Sequence, residues 1–203
     1  MAGFLDRVYS ARDAASTRTL YDDWAASYDA EIGDNGYATP DRCAEALKRF
    51  TPDLTHPILD FGCGTGLSGI SLKQVGFETI DGVDLSAEML QSADGKAVYR
   101  ALSQIEPNAE LPFDEGAYAS IAAIGVIGAG AAPISVFHML MQKLPTGGKL
   151  VFSFNDHALD DPTYEGGLAE WTDTGAARLL FKEHGDHLPG IGLGSNVYVL
   201  ERL

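Results

Sequence analysis

Pro57-Ile58-Leu59-Asp60-Phe61-Gly62-Cys63-Gly64-Thr65-Gly66 is the stretch on which the fold turns. Its first half is short, apolar and bounded, and it reads as a buried strand. The strand runs directly into three alternating glycines. A helix follows over Leu67 to Val75 and is stopped by Gly76. A strand, a glycine loop and a helix in this order put the loop at the strand's carboxyl end. Open α/β sheets bind ligands there. Three missing side chains let a ligand lie against bare main chain.

The same alternation continues outward in both directions. Thr79 to Val83 reads as a strand ending at Asp84. Ser86 then caps a helix with Glu88 in its first turn and Met89-Leu90 behind. A weak strand lies at Val98 to Ile105 and a buried one at Tyr118 to Val126. Pro133 opens a helix with Ile134, Phe137, Met141 and Leu144 inward. The turn Pro145-Thr146-Gly147-Gly148 leads into a strand over Lys149 to Phe154. Upstream, Thr39-Pro40 is a cap residue followed by proline at the first helical position, with Cys43, Leu47 and Phe50 on one face. Tyr21, Trp24, Ala25 and Tyr28 fall at i, i+3, i+4 and i+7, one face of an earlier helix. Downstream, Arg178 to Glu183 and Val197 to Glu201 read as two strands with no helix between them. Their connecting loop holds Gly185, Pro189, Gly190, Gly192 and Gly194. The expected fold is α/β, a Rossmann-like doubly wound sheet, mostly parallel, with an antiparallel C-terminal edge pair. One domain over 1–203 is expected, with N-terminal helices over 1–50 as a lid and a core over 57–203.

Composition narrows the function. A length of 203 residues, 45% apolar and 21% charged, suits one globular domain. Glycine is enriched, at 23 residues. The net charge of −15 leaves no clustered Lys/Arg beyond Lys48-Arg49, so the expectation is no nucleic-acid partner. Two cysteines, Cys43 and Cys63, cannot form a disulfide framework, and the N-terminus lacks an apolar leader, so a cytoplasmic location is expected. From Gly116 to Gln142 no residue carries a full charge. Gly125, Gly128, Gly130 and Pro133 punctuate that run, so a strand, loop and helix are expected rather than a membrane span.

The glycine spacing bears on the ligand. A dinucleotide fingerprint needs G-x-G-x-x-G, and here the third glycine comes one residue early, at Gly66. Asp60 precedes the loop and would repel pyrophosphate but welcome an ammonium group. Asp84 ends the second strand, where a carboxylate accepts hydrogen bonds from two ribose hydroxyls.

These residues resemble a family. Ile58 to Gly66 is similar to motif I of the class I S-adenosylmethionine (SAM)-dependent methyltransferases, and Gly82-Val83-Asp84-Leu85-Ser86-Ala87-Glu88-Met89-Leu90 to their second-strand motif. Leu111-Pro112-Phe113 and Leu144-Pro145-Thr146-Gly147-Gly148-Lys149-Leu150 resemble later landmarks, with Thr146 departing from the usual order. Tyr21-Asp22-Asp23-Trp24 through Tyr28-Asp29 resembles the N-terminal helix of methyltransferases of the Williams–Beuren region type. The resemblance covers roughly residues 18 to 155 with its landmarks in order.

The resemblance implies SAM as cofactor. Asp60 and the loop residues Gly62, Cys63, Gly64 and Gly66 would hold the methionine amino group and carboxylate. Asp84 would hold the ribose, with Leu85 against adenine and Met89 in the same motif. Glu106 stands where an acid meets the adenine amino group, with Ile105 supplying a backbone N–H. Gly125 would lie under the methionine arm, and Tyr21 and Tyr28 would form a lid. Trp24, Asn155 and His157 are candidate substrate contacts. The glycine–alanine stretch Gly128 to Ala131 stands where such chains often carry histidine, so no catalytic acid or base is assigned. The expected function is methyl transfer to a small-molecule acceptor, mainly by positioning and desolvation. The alternatives are a non-catalytic domain binding SAM or its demethylated product, and a nicotinamide oxidoreductase. His184 and His187 lie beside Glu183 and Asp186 in what reads as a polar loop. Without CxxC or HExxH spacing, no metal is expected.

Overall fold

The computed structural model describes residues 14–107, 111–128 and 131–203. The start of the expected lid (1–13) and Ala129 and Gly130 of the glycine–alanine stretch lie outside the described residues. Seven strands form one sheet in the order β3-β2-β1-β4-β5-β7-β6. They are β1 (Ile58–Phe61), β2 (Ile80–Asp84), β3 (Ala101–Gln104), β4 (Ser120–Ala123), β5 (Lys149–Asn155), β6 (Ala177–Leu188) and β7 (Leu193–Arg202). The first five run parallel, and β7 lies antiparallel between β5 and β6. Every residue of β1 and β4 is buried, as expected of strands covered on both faces.

The helices are α1 (Ala14–Asp34), α2 (Thr39–Lys48), α3 (Leu67–Val75), α4 (Ala87–Asp94), α5 (Ile134–Lys143), α6 (Asp156–Leu159) and α7 (Pro162–Asp173). Ser86 caps α4 by accepting the Met89 N–H at 3.0 Å. Phe137, Leu140 and Met141 of α5 pack on Phe152 and Phe154 on one face of the sheet. Cys43, Ala44 and Leu47 of α2 pack on Val151, Val197 and Val199 on the other. Leu20, Trp24 and Ile32 of α1 close on Leu188 to form a third, smaller core. None of the described helices is long and apolar enough to cross a membrane. The uncharged run folds into β4, a loop and α5.

Three expectations are corrected. Thr39 is not the cap of α2: Ala38 holds that place, and Thr39 is the first residue inside the helix. Its hydroxyl is instead turned toward the C-terminal hairpin. That hairpin is longer than its apolar pattern suggests, because pairing continues through His184, Gly185, Asp186 and Leu188. Gly185 and Gly194 are strand residues at points of close approach. A Cβ at Gly185 would stand 2.9 Å from the Arg42 guanidinium, and one at Gly194 would stand 2.7 Å from the His184 ring. His184 and His187 therefore sit on β6, and His187 is buried. Among the described residues no group of acids, histidines and cysteines is placed to hold a metal. Finally, α7 occupies a stretch with no expected element, although Asp161-Pro162 is a cap and first-turn proline.

Candidate functional site

The sheet order reverses between β1 and β4, and the crevice outside their carboxyl ends holds a cavity of about 420 Å³. The glycine loop forms its floor. Gly62 has φ +70° and Gly64 φ +52°, values that favour glycine. Gly62 is also sterically required. A Cβ there would lie 2.5 Å from one Val126 methyl and 2.8 Å from the other. Nothing lies within 4 Å of the corresponding point at Gly64, which opens onto the cavity.

Asp84 ties this loop to the second strand. One carboxylate oxygen accepts the Gly64 N–H at 2.9 Å and the other accepts the Ser86 N–H at 2.9 Å. Burial raises its carboxyl above the ordinary range, while the N–H groups of Ser86 and Gly64 pull the other way. Asp84 lines the cavity, and a carboxylate offers about four acceptor sites, so its oxygens keep capacity beyond the backbone N–H groups they meet. The loop and the strand-end acid thus converge on one space.

The other cavity residues come from scattered elements. Leu85 and Met89 line it from the start of α4, Ile105 and Glu106 from the end of β3, and Gly125 from the end of β4. Tyr21 and Tyr28 reach it from α1, and Cys63 adds a buried thiol that burial pushes upward. Trp24 and Asn155 border a smaller adjoining chamber instead. His157 is exposed on α6 and lines neither space. Gly66 stands behind the loop, packed against Tyr99 and Ala93.

Asp60 is fully buried behind the loop and is not part of the cavity wall. Its Oδ2 accepts the hydroxyls of Ser68 at 2.6 Å and Tyr99 at 2.7 Å, while Oδ1 has no partner. Burial pushes its carboxyl up to about 6, against an ordinary value near 4. Because the folded pKa is raised, the group adds stability below about pH 4 that is lost as pH rises to about 6. The span corresponds to about 2–3 kcal/mol. Asp60→Asn should therefore flatten the stability profile between pH 4 and 7 by about that amount. Urea unfolding of both proteins at the two pH values reads this directly, and parallel profiles would contradict it.

Sequence reasoning did not reach Arg18, Tyr37 or Tyr99. Arg18 reaches from α1 over the β3 end, with Nη2 2.8 Å from Glu106 Oε2 and 3.3 Å from the Ile105 carbonyl. A second tie joins α1 to the loop: Thr65 Oγ1 donates to Asp29 at 2.5 Å, and Lys96 bridges Asp29 and the Thr65 carbonyl. Tyr37 presses on the bare Cα of Gly125, where a Cβ would meet its hydroxyl at 2.3 Å. Tyr99 sits beneath the loop in a segment whose weak strand pattern concealed it. Only the aromatic type of Tyr37, just after Gly36, hinted at a role.

Comparison with known proteins decides the family. A family model described as a methyltransferase domain matches residues 36–190. The chain belongs to the class I SAM-dependent methyltransferases. Human methyltransferase-like protein 27 is 33% identical over 138 residues, covering 66% of this chain and 56% of the relative. The 18S rRNA (guanine(1575)-N(7))-methyltransferase of Saccharomyces cerevisiae is 30% identical over 118 residues, covering 51% and 43%. The chain spans about half the length of the curated relatives it matches. The crystal structure of the [4+2]-cyclase SpnF aligns with a TM-score of 0.69 at 14% identity, covering 95% of this chain and 97% of that one. That likeness shows the fold alone. The yeast relative is named for an RNA acceptor, so kinship does not support the exclusion of nucleic acid expected from charge.

The cofactor of this family is SAM, and the residues present suit it. The open point at Gly64 and the available lone pairs of Asp84 fit a ribose laid on the loop. When bound, SAM supplies a methyl group already activated by its positive sulfur. Tyr21 and Tyr28 stand with ring centroids 6.4 Å apart on the cavity wall, where their faces attract a cation. Burial, with nearby acids, holds the Tyr28 hydroxyl protonated.

Proposed function

We propose that this methyltransferase acts on a small-molecule acceptor, mainly by alignment and exclusion of water. The observation that supports this best is the adjoining chamber. It shares Tyr21, Tyr28, Tyr37, Gly125 and Ala131 with the main cavity and is walled by α1 and the ends of β4 and β5. An acceptor seated there approaches the methionine arm from within the fold, behind the aromatic face of α1. Tyr21 stacks on Trp24 at 5.9 Å, and Trp24 meets Tyr28 edge-on at 4.6 Å. This wall restricts bulky acceptors and keeps water away. The excess of 29 acidic over 14 basic residues also disfavours a phosphate-rich partner.

In this reading Asp84 and the glycine loop hold the nucleoside, Glu106 faces the base, and the α1 tyrosines face the sulfur; the Ile105 N–H, expected at the base, is instead donated to the Asp84 carbonyl at 2.9 Å. Asp60 acts from behind, keeping Ser68, Tyr99 and the loop in place. Positioning alone supplies about 7–11 kcal/mol, so a strong general base is not required.

The test uses SAM carrying a labelled methyl group, with the chain and a cell extract divided into small-molecule, RNA and protein fractions. Label should enter the small-molecule fraction. Label confined to RNA or protein would overturn the acceptor class. Binding of S-adenosylhomocysteine with no transfer to any fraction would favour a non-catalytic binding domain.

A further inference from the structure

The chamber beyond Gly125, about 60 Å³ in volume, is lined on its polar side by Ser153, Asn155 and His187 beside three tyrosines. Ser153 Oγ accepts the Gly125 N–H at 3.0 Å, and its own hydrogen has no acceptor among the described residues. Asn155 is oriented by capping α6. Its Oδ1 accepts the Ala158 N–H at 3.0 Å, which leaves the Nδ2 hydrogens to be donated. His187 is the third group. It is buried and lines the chamber, and its Nε2 has no hydrogen bond among the described residues. Among the described residues no carboxylate lines this space.

A relay of hydrogen bonds fixes the tautomer of His187. Arg42 Nη1, which can only donate, meets Ser195 Oγ at 3.1 Å. Ser195 Oγ lies 3.0 Å from Thr39 Oγ1, which lies 2.8 Å from His187 Nδ1. If Ser195 donates to Thr39 and Thr39 to Nδ1, every hydroxyl hydrogen is used. In the opposite direction the hydrogen of Ser195, a fully buried residue, finds no acceptor among the described residues. Leaving a buried donor unmet costs about 1–3 kcal/mol, so the first direction holds. Nδ1 is then bare and Nε2 carries the proton. Burial also pushes the ring down to about 4, so it is neutral at pH 7. The ring acts as a donor into the chamber, and the charges that act on it are the Asp156 carboxylate and, more weakly, the Arg42 guanidinium.

From this donor set we infer that the chamber seats an anionic oxygen of the acceptor, a carboxylate or phenolate on a small apolar body. His187 Nε2–H, Ser153 O–H and Asn155 Nδ2–H bind it, while Trp24 and Leu188 pack the apolar part. The inference rests on the methyl-transfer reading, because the chamber opens onto the methionine side of the cavity. His187 would thereby be a substrate-orienting residue.

The test uses sodium benzoate as probe and benzylamine as its cationic counterpart, on histidine-15N-labelled protein saturated with S-adenosylhomocysteine. The His187 ring should show a protonated Nε2 and a bare Nδ1 at pH 7. Its Nε2–H signal should move with benzoate and not with benzylamine. A ring protonated on Nδ1, or one that responds only to benzylamine, would overturn the inference. By calorimetry, His187→Phe should weaken benzoate binding at least about tenfold while keeping the thermal shift given by S-adenosylhomocysteine. Unchanged benzoate affinity would also overturn it. Should that variant not fold, the tautomer and probe titration of the parent decide alone. A parent protein that shows no shift with S-adenosylhomocysteine would instead overturn the methyl-transfer reading.

Discussion

Asp84→Ala should remove nearly all the thermal stabilisation that S-adenosylhomocysteine gives the parent protein. At a hundred times Kd a ligand adds about 2.7 kcal/mol to stability. In a chain of this size that is a rise in Tm of about 5–10 °C. The Asp84 carboxylate lines the cavity and is expected to take both ribose hydroxyls, beside the N–H groups of Gly64 and Ser86 that it already accepts. Each hydrogen bond to a charged group contributes about 1.5–3 kcal/mol, so losing two weakens binding roughly a hundredfold or more. At the same ligand concentration the shift should fall to about 2 °C or less. The shift, not the Tm of the free protein, is the readout, because the substitution also frees the loop N–H groups. A variant that shifts as much as the parent would show that the ribose lies elsewhere.

Gly62→Ala should be the most damaging small substitution in the loop. The left-handed backbone at Gly62 costs any other residue about 1–2 kcal/mol. Forcing a methyl against the Val126 side chain, 2.5 Å away, adds about 1–3 kcal/mol of overpacking. Together these predict a loss of about 2–5 kcal/mol and a fall in Tm of about 5–15 °C. The two causes separate in a double variant. Val126→Ala should relieve the overpacking and leave the backbone strain, so the pair should be less destabilised than the sum of the singles by about 1–3 kcal/mol. Strict additivity in chemical unfolding would mean that Val126 is not what makes Gly62 obligatory.

The sheet was legible because its signals are local. A short apolar run, a glycine loop and a capped helix recur along the chain, and Leu67 to Val75 has the same limits in sequence and structure. Asp84 and the loop could be paired because a strand-end acid follows from that alternation. The rest depends on contacts between residues far apart in the chain. Tyr99 meets Asp60 across 39 positions, and Thr39 meets His187 across 148. Neither carries a local pattern, since a tyrosine in a weak strand and a threonine before proline each have commoner readings. The hairpin failed for a related reason. Gly185 and Gly194 look like turn residues, and only the approach of Arg42 and His184 shows them as strand positions. Asp60 was recognised as part of the motif, but the sequence could not show that its carboxylate faces away from the cavity and into the support of the loop.

The most direct measurement is a crystal structure with S-adenosylhomocysteine. The nucleoside should lie across the bare backbone at Gly64, with both ribose hydroxyls on Asp84 and the base between Leu85 and Ile105. A nucleoside bound on another side of the sheet, or none at saturating concentration, would contradict the assignment.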